Sequence, residues 1–162
     1  KISLFKDLDE YEIITLVDDV IFKKYIRFEV IFSEGEQKDD YIYYIAKGSV
    51  NISTRGKDRV LKKIVTLDET SLIGEMKPIL DEGRTATCVA GDNGVTAIGF
   101  TINQEQFAEY PRLYAKFYRN MAHILSTKIK ELNEKLKWYI LKDIIEKIFK
   151  LYHTGKTKHF YY

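Results

Sequence analysis

At 162 residues, with 45% hydrophobic side chains and only two prolines, the chain has the length and composition of one folded domain. No apolar run approaches the ~18 residues of a membrane span, and no secretory signal opens the chain. A single cysteine, Cys88, precludes an internal disulfide and agrees with a reducing compartment, so we expect a cytoplasmic location. The start at Lys1 is compatible with a fragment of a longer protein.

Charge divides the chain into two parts. Residues 1–111 carry 14 Lys and Arg against 20 Asp and Glu, and residues 112–162 carry 12 against 4. The net charges, −6 and +8, sum to the +2 of the whole chain. A basic C-terminal part could bind nucleic acid or an acidic partner, but lysines on a helix more often form its solvated face.

The first elements follow from the spacing of apolar residues. Ile13, Leu16, Val17 and Val20 predict a short helix over 9–20. Alternating runs then predict strands, and turn-forming residues separate them. The runs are 26–32, 41–46, 50–52, 60–65, 85–90 and 95–100, with turns at 34–35, 47–48, 55–58 and 91–94. Such a series predicts a mainly β fold with flanking helices, an antiparallel β-roll or jelly-roll barrel.

The strand pattern ends near residue 100. Asn103 is predicted to cap a short helix through Glu109, and Pro111 suits the first turn of a long helix. Its apolar stripe is Met121, Leu125, Ile129, Leu132, Leu136, Ile140, Ile144 and Ile148. One barrel cannot cover such a stripe, so we predict a homodimer through paired C-terminal helices. The alternative is an intramolecular helical hairpin that breaks near Trp138 and Tyr139.

Residues 72–87 carry the strongest functional signal. An apolar strand end leads into Gly74 and Glu75, a short helix follows, and Arg84 precedes the next strand. Glycine permits a close approach to a ligand, arginine offers a planar fork to a phosphate, and glutamate can accept from a sugar hydroxyl. These residue types could form a ribose phosphate site, but on their own they favour a surface loop with incidental charges.

The order of these residues resembles the phosphate-binding cassette of the cyclic nucleotide-binding domain family, as in the sensor domain of catabolite activator-like members. In that cassette Gly-Glu and an apolar residue precede a short helix, and Arg-(Thr/Ser/Ala)-Ala follows it. The matching residues are Gly74, Glu75 and Met76, then Arg84, Thr85 and Ala86. Residues 32–36 and 43–50 resemble the family as well, and the resemblance covers residues 4–136.

The resemblance implies a regulatory domain rather than an enzyme, with cAMP or cGMP as ligand and no cofactor or metal. It implies that Arg84 and main-chain amides near Met76 bind the phosphate, and that Glu75 binds the ribose. Lys128 and Ile129 fall where catabolite activator-like members read adenine with a Thr-Ser pair, whereas Thr85 matches a threonine that holds guanine in cGMP-preferring members. Prevalence in the family favours cAMP. The predicted site is Ile73, Gly74, Glu75, Met76, Arg84, Thr85, Ala86 and Lys128.

We expect residues 1–111 to form the ligand-binding β-roll, and residues 112–162 to form the dimerising helix and tail of the same domain. The segment after Leu136, about 25 residues, is too short for a helix-turn-helix reader, so direct DNA binding is not expected. The histidines, His123, His153 and His159, all lie in this C-terminal part, which argues against a metal site in the barrel.

Two alternatives to nucleotide sensing remain. The first is a degenerate scaffold that dimerises without binding nucleotide. Lys77 and Pro78 favour it, because the family usually has small or apolar residues there. The second is a barrel that binds a different small anion and uses the long helix as its switch.

Overall fold

The structure, a computed structural model, describes residues 2–156. It consists of six strands, three helices and two short 3-10 turns in this part of the chain. In chain order the elements are a turn at Ser3–Phe5, α1 (Glu10–Leu16), β1 (Val17–Tyr25), β2 (Val30–Phe32), β3 (Ile42–Arg55), β4 (Leu61–Leu67), β5 (Leu72–Ile73), α2 (Lys77–Leu80), β6 (Thr87–Ile102), a turn at Glu105–Ala108 and α3 (Pro111–Lys156).

The predicted opening helix is present but shorter than expected. A capping box starts α1, because the Asp9 side chain accepts from the Glu12 amide at 2.8 Å and the Glu12 carboxylate accepts from the Asp9 amide at 3.0 Å. The helix ends at Leu16. The prediction of helix over 17–20 was wrong, since Val17 and Val20 belong to β1 and pair there with β6. Strands favour such β-branched side chains.

All strand pairs are antiparallel, which confirms the predicted β-roll. The strands follow the order β1-β6-β3-β4, while β2 also pairs with β6 and β5 with β3. Side chains from five of the six strands form one buried core cluster. Its buried members are Tyr25, Phe32, Tyr43, Ile45, Val50, Ile73, Cys88, Ala90, Val95 and Ala97.

Two predicted turns are interior positions of long strands instead. Residues 47–48 lie within β3, and residues 91–94 lie within β6. The pairing register of β3 with β6 shifts on either side of Gly48, whose φ is +91°. A Cβ on Gly48 would stand 2.2 Å from the Gly94 carbonyl oxygen. These glycines therefore permit a bulge and a close approach of two strands, not a chain reversal.

Pro111 begins α3, as predicted. The helix continues without a break through Trp138 and Tyr139, so the helical-hairpin alternative is wrong. Residues 1–116 and 117–162 form two compact units, and the predicted boundary at 111/112 stays a prediction. The helix predicted from Asn103 through Glu109 is only a 3-10 turn, Glu105–Ala108, and its N-cap is Gln104. The Asn103 side chain accepts a hydrogen bond from the Glu105 amide at 3.2 Å. His159 lies outside the described residues.

Candidate functional site

Arg84 lies at the centre of segment 72–87, and its side chain is only 2% exposed. Its Nη1 donates to the carbonyl oxygens of Tyr41 (3.0 Å) and Gly74 (3.1 Å), and its Nη2 donates to Asp39 Oδ1 at 2.6 Å. The guanidinium carbon stands 4.3 Å from the centroid of the Phe32 ring. Since a guanidinium carries five N–H groups, these three bonds leave two for another acceptor.

The turn after β2 fixes the main chain of Arg84 from both sides. The Gly35 amide donates to the Arg84 carbonyl at 2.7 Å, and the Arg84 amide donates to the Glu36 carbonyl at 3.0 Å. The turn itself is closed by the Ser33 amide, which donates to the Glu36 carboxylate at 3.0 Å. Residues 32–36, which also resemble the family in sequence, therefore position the arginine of the cassette.

Gly74 is the point at which the cassette backbone meets the guanidinium. Its φ is +81°, and a Cβ there would stand 2.6 Å from Arg84 Nη1 and 2.9 Å from the Tyr41 carbonyl oxygen. The residue before it, Ile73, pairs with Tyr43 of β3. Residues 43–50, the other stretch that resembles the family, thus belong to the strand that holds the start of the cassette in place.

The structure brings some of the predicted site residues into contact. Gly74 contacts Arg84, and the Thr85 hydroxyl lies 3.6 Å from the Met76 sulfur. Ile73 and Glu75 are buried, Met76 and Thr85 are exposed, and Ala86 is half-buried. Lys128 is half-buried on α3, in the unit formed by residues 117–162, and its part in the site stays a prediction.

Sequence reasoning missed the loop between β2 and β3. Its two adjacent acids, Asp39 and Asp40, form ion pairs with Arg84 and Lys77 respectively. The Lys77 side chain is 10% exposed, although charged residues are rarely buried unless they are paired. The sequence signal was available, because two neighbouring acids follow the turn at residue 35 and directly precede a strand.

Two buried phenols lie in the same core cluster as Phe32. Burial raises the pKa of both Tyr43 and Tyr25, and the nearby charge of Asp39 raises each pKa further. The Tyr25 hydroxyl has no well-aligned hydrogen-bond partner among the described residues. These groups are neutral at physiological pH, so they contribute polar surface but no charge to the interior.

Other kinds of site were sought in residues 2–156. No group of three or more His, Cys, Asp and Glu side chains there is arranged to hold a metal ion. None of the helices in this range combines the length and the apolar content that a membrane crossing requires.

Comparison with known proteins places the cassette in a family. Residues 22–110 match the family model described as cyclic nucleotide-binding domain. Human cGMP-dependent protein kinase 2 is 32% identical over 108 residues, which cover 65% of this chain and 14% of the kinase. The chain therefore spans only a small part of that relative's length.

Solved structures agree at the level of the fold. The catabolite activator protein of Thermus thermophilus superposes with a TM-score of 0.61 at 22% identity, over 83% of this chain and 62% of that one. The regulatory subunit of a cAMP-independent protein kinase A from Trypanosoma brucei gives 0.59 at 20% identity, over 78% and 47%. With the strand order, the cassette geometry and the family match in agreement, the chain belongs to the cyclic nucleotide-binding domain family.

Proposed function

We propose that this chain is a regulatory, non-enzymatic domain that binds cAMP or cGMP through its cassette. The observation that carries the proposal is the buried Arg84 guanidinium, fixed by two carbonyl oxygens and Asp39 with two N–H groups left for an acceptor. A charge-assisted bond from a preorganised guanidinium to a phosphate is among the stronger polar contacts a protein makes. Beside it, the buried Glu75 would accept from the ribose 2′-hydroxyl.

The identity of the base depends on Thr85 and Lys128. Thr85 follows Arg84 directly and is exposed, so its hydroxyl can turn toward a purine amino group. The kinase that matches this chain is named for cGMP, and we therefore propose cGMP as the first ligand to test, with cAMP second. Lys128 would approach the base from α3, while Ile73, Met76 and Ala86 would surround the sugar phosphate.

The output would pass through α3. A ligand shifts a conformational equilibrium only if it binds one arrangement better than the other. We propose that occupancy of the cassette resets the C-terminal helix within a homodimer, in the cytoplasm, and that the signal reaches a partner protein rather than DNA.

Isothermal titration with cGMP, cAMP and a cyclic dinucleotide tests the proposal. We expect a cyclic mononucleotide to bind, and Arg84→Leu to weaken binding about 30-fold or more, because truncating one member of a buried charge pair costs roughly 2–5 kcal/mol. Arg27→Leu is the matched control, since Arg27 forms an exposed ion pair with Asp92 at 3.1 Å outside the cassette.

The remaining outcomes decide between the alternatives. A parent chain that binds no cyclic nucleotide but still dimerises would establish the degenerate scaffold. Binding of the cyclic dinucleotide alone would establish a barrel for a different anion. Equal affinity of Arg84→Leu and the parent chain for cGMP would refute the assignment of the cassette.

A further inference from the structure

Lys77 is a buried cation that the family cassette does not explain. It is the first residue of α2, and its Nζ forms an ion pair with Asp40 Oδ1. The Lys77 side chain is 10% exposed, whereas that of Asp40 is 61% exposed. The lysine is thus enclosed by the protein, while its acidic partner stands in solvent.

The two ion pairs of the cassette share one loop. Asp39 holds Arg84 and its neighbour Asp40 holds Lys77, and the Cα atoms of consecutive residues lie about 3.8 Å apart. Both cationic head groups therefore meet the same short stretch of chain. Arg84 also donates to the Gly74 carbonyl, three residues before Lys77, which keeps the guanidinium close to the start of α2.

The two acids differ in how firmly they are held. Asp39 is 29% exposed and contacts a guanidinium that two carbonyl oxygens also fix. Asp40 is twice as exposed, so water can solvate its carboxylate if it leaves Lys77. An ammonium group binds carboxylate and phosphate oxygens by the same charge-assisted bonds, and Asp40 therefore occupies Lys77 as an anionic ligand would.

We propose that Lys77 is a second phosphate-binding cation of this site, and that Asp40 holds it in the absence of ligand and gives it up to the phosphate. This inference rests on the proposed function, because it concerns the anion that Arg84 would bind. It makes Asp40 a competitor of the ligand rather than a support of the site.

If the ion pair between Lys77 and Asp40 were purely structural, Asp40→Asn would change the ligand affinity in the opposite direction. If the contact only anchors the loop to α2, removing either charge loosens the cassette and weakens binding. If Asp40 competes with the phosphate, Asp40→Asn frees the lysine and strengthens binding, while Lys77→Met weakens it.

The experiment is isothermal titration of the full chain with cGMP and cAMP at low salt. We expect Lys77→Met to lower the affinity about tenfold, Lys77→Arg to retain most of it, and Asp40→Asn to raise it about threefold. The matched controls are Lys62→Met and Asp58→Asn, which make the same charge changes in an exposed ion pair of 2.8 Å between the turn after β3 and the start of β4. Thermal melts of each variant verify folding.

Each outcome decides the inference. An unchanged affinity of Lys77→Met, or weaker binding by both Lys77→Met and Asp40→Asn, overturns it. If Arg84→Leu loses binding while Lys77→Met keeps it, only this inference fails and the proposed function stands. If the parent chain binds neither nucleotide, the proposed function and this inference fail together.

Discussion

Gly74 and Arg84 show, at the scale of single residues, why the cassette needs its particular residue types. The guanidinium donates to the Gly74 carbonyl at 3.1 Å, and any Cβ at position 74 would collide with the same group. The positive φ of Gly74 also disfavours other residues. Glycine is therefore required by the arginine that follows ten residues later, independently of any ligand.

Glu75 provides a test of the ribose contact. A 2′-deoxy cyclic nucleotide lacks the hydroxyl that would donate to the buried Glu75 carboxylate, so it should bind the parent chain about tenfold more weakly. In Glu75→Gln that penalty should shrink, because the neutral amide tolerates the loss better. Titration of both proteins with the ribose and deoxyribose ligands measures the difference. A penalty of equal size in the two proteins would assign the 2′-hydroxyl to another residue.

Residue-level prediction from the sequence was strongest where a motif specifies both residue type and spacing. The positions of Gly74 and Arg84 followed from such a pattern, and they do come into contact. Asp39 and Asp40 were missed, and Lys77 was interpreted only as a sign of a degenerate scaffold, because their ion pairs join residues that are 45 and 37 positions apart. The two adjacent acids mark their loop in the sequence, but no local pattern specifies the distant cations with which they pair.

At the scale of elements, the existence of strands was predictable and their ends were not. The sequence divides β6 into two runs around residues 91–94, because glycine and asparagine usually mark turns. In the structure β6 continues through these residues. The neighbouring strand decides whether these residues form a turn or continue the strand. Gly94 packs against the Tyr25 carbonyl of β1, and a Cβ on Gly94 would stand 2.6 Å from that oxygen.

The apolar stripe predicted on α3 does not lie on a single face of the helix along its whole length. Residues four apart differ by about 40° around an α-helix, so the stripe from Leu136 through Ile148 winds around the helix instead of keeping to one face. Leu125, Ile129, Leu132 and Leu136 are spaced by four, three and four, as in a coiled-coil seam. The exposed residues Ile129, Leu132 and Leu136 of this seam are the ones a second helix would cover.

We predict that Leu132→Glu combined with Leu136→Glu raises the dimer dissociation constant at least about 100-fold, because unpaired carboxylates would enter a dry seam. The control, Thr127→Glu with Trp138→Glu, adds the same charge at two exposed residues about 150° or more around the helix from the centre of the seam. Analytical ultracentrifugation compares the three proteins. A parent chain that stays monomeric at tens of micromolar, or a control that dissociates as readily as the seam variant, would contradict the predicted interface.

At the scale of the whole molecule, the buried phenols link core stability to pH. Burial raises the pKa of Tyr43 above its ordinary value of 10.0, so the folded state retains that proton more strongly than the unfolded chain. This contribution to stability is complete below pH 10 and is lost as the pH rises further. We therefore expect the unfolding temperature to fall steeply above pH 10.

Thermal melts between neutral pH and about pH 11 should show a shallower alkaline decline in Tyr43→Phe than in the parent chain, because that variant has no phenol to ionise. Tyr139→Phe serves as the control, since the Tyr139 side chain is 73% exposed on α3. Identical alkaline declines in the parent chain and in Tyr43→Phe would exclude the buried phenol as the cause.

The long strand β6 has a consequence for the order of events during synthesis. It pairs with β1, β2 and β3, and the pairing of Val17 with Ile102 joins residues from opposite ends of the β-roll. A nascent chain that has reached Ala86 already contains the whole cassette but lacks β6, the strand with which three others pair. Such distant contacts form slowly and leave strand edges exposed meanwhile. A chain whose synthesis ends before residue 102 would therefore carry a complete cassette sequence on an unfinished, aggregation-prone sheet.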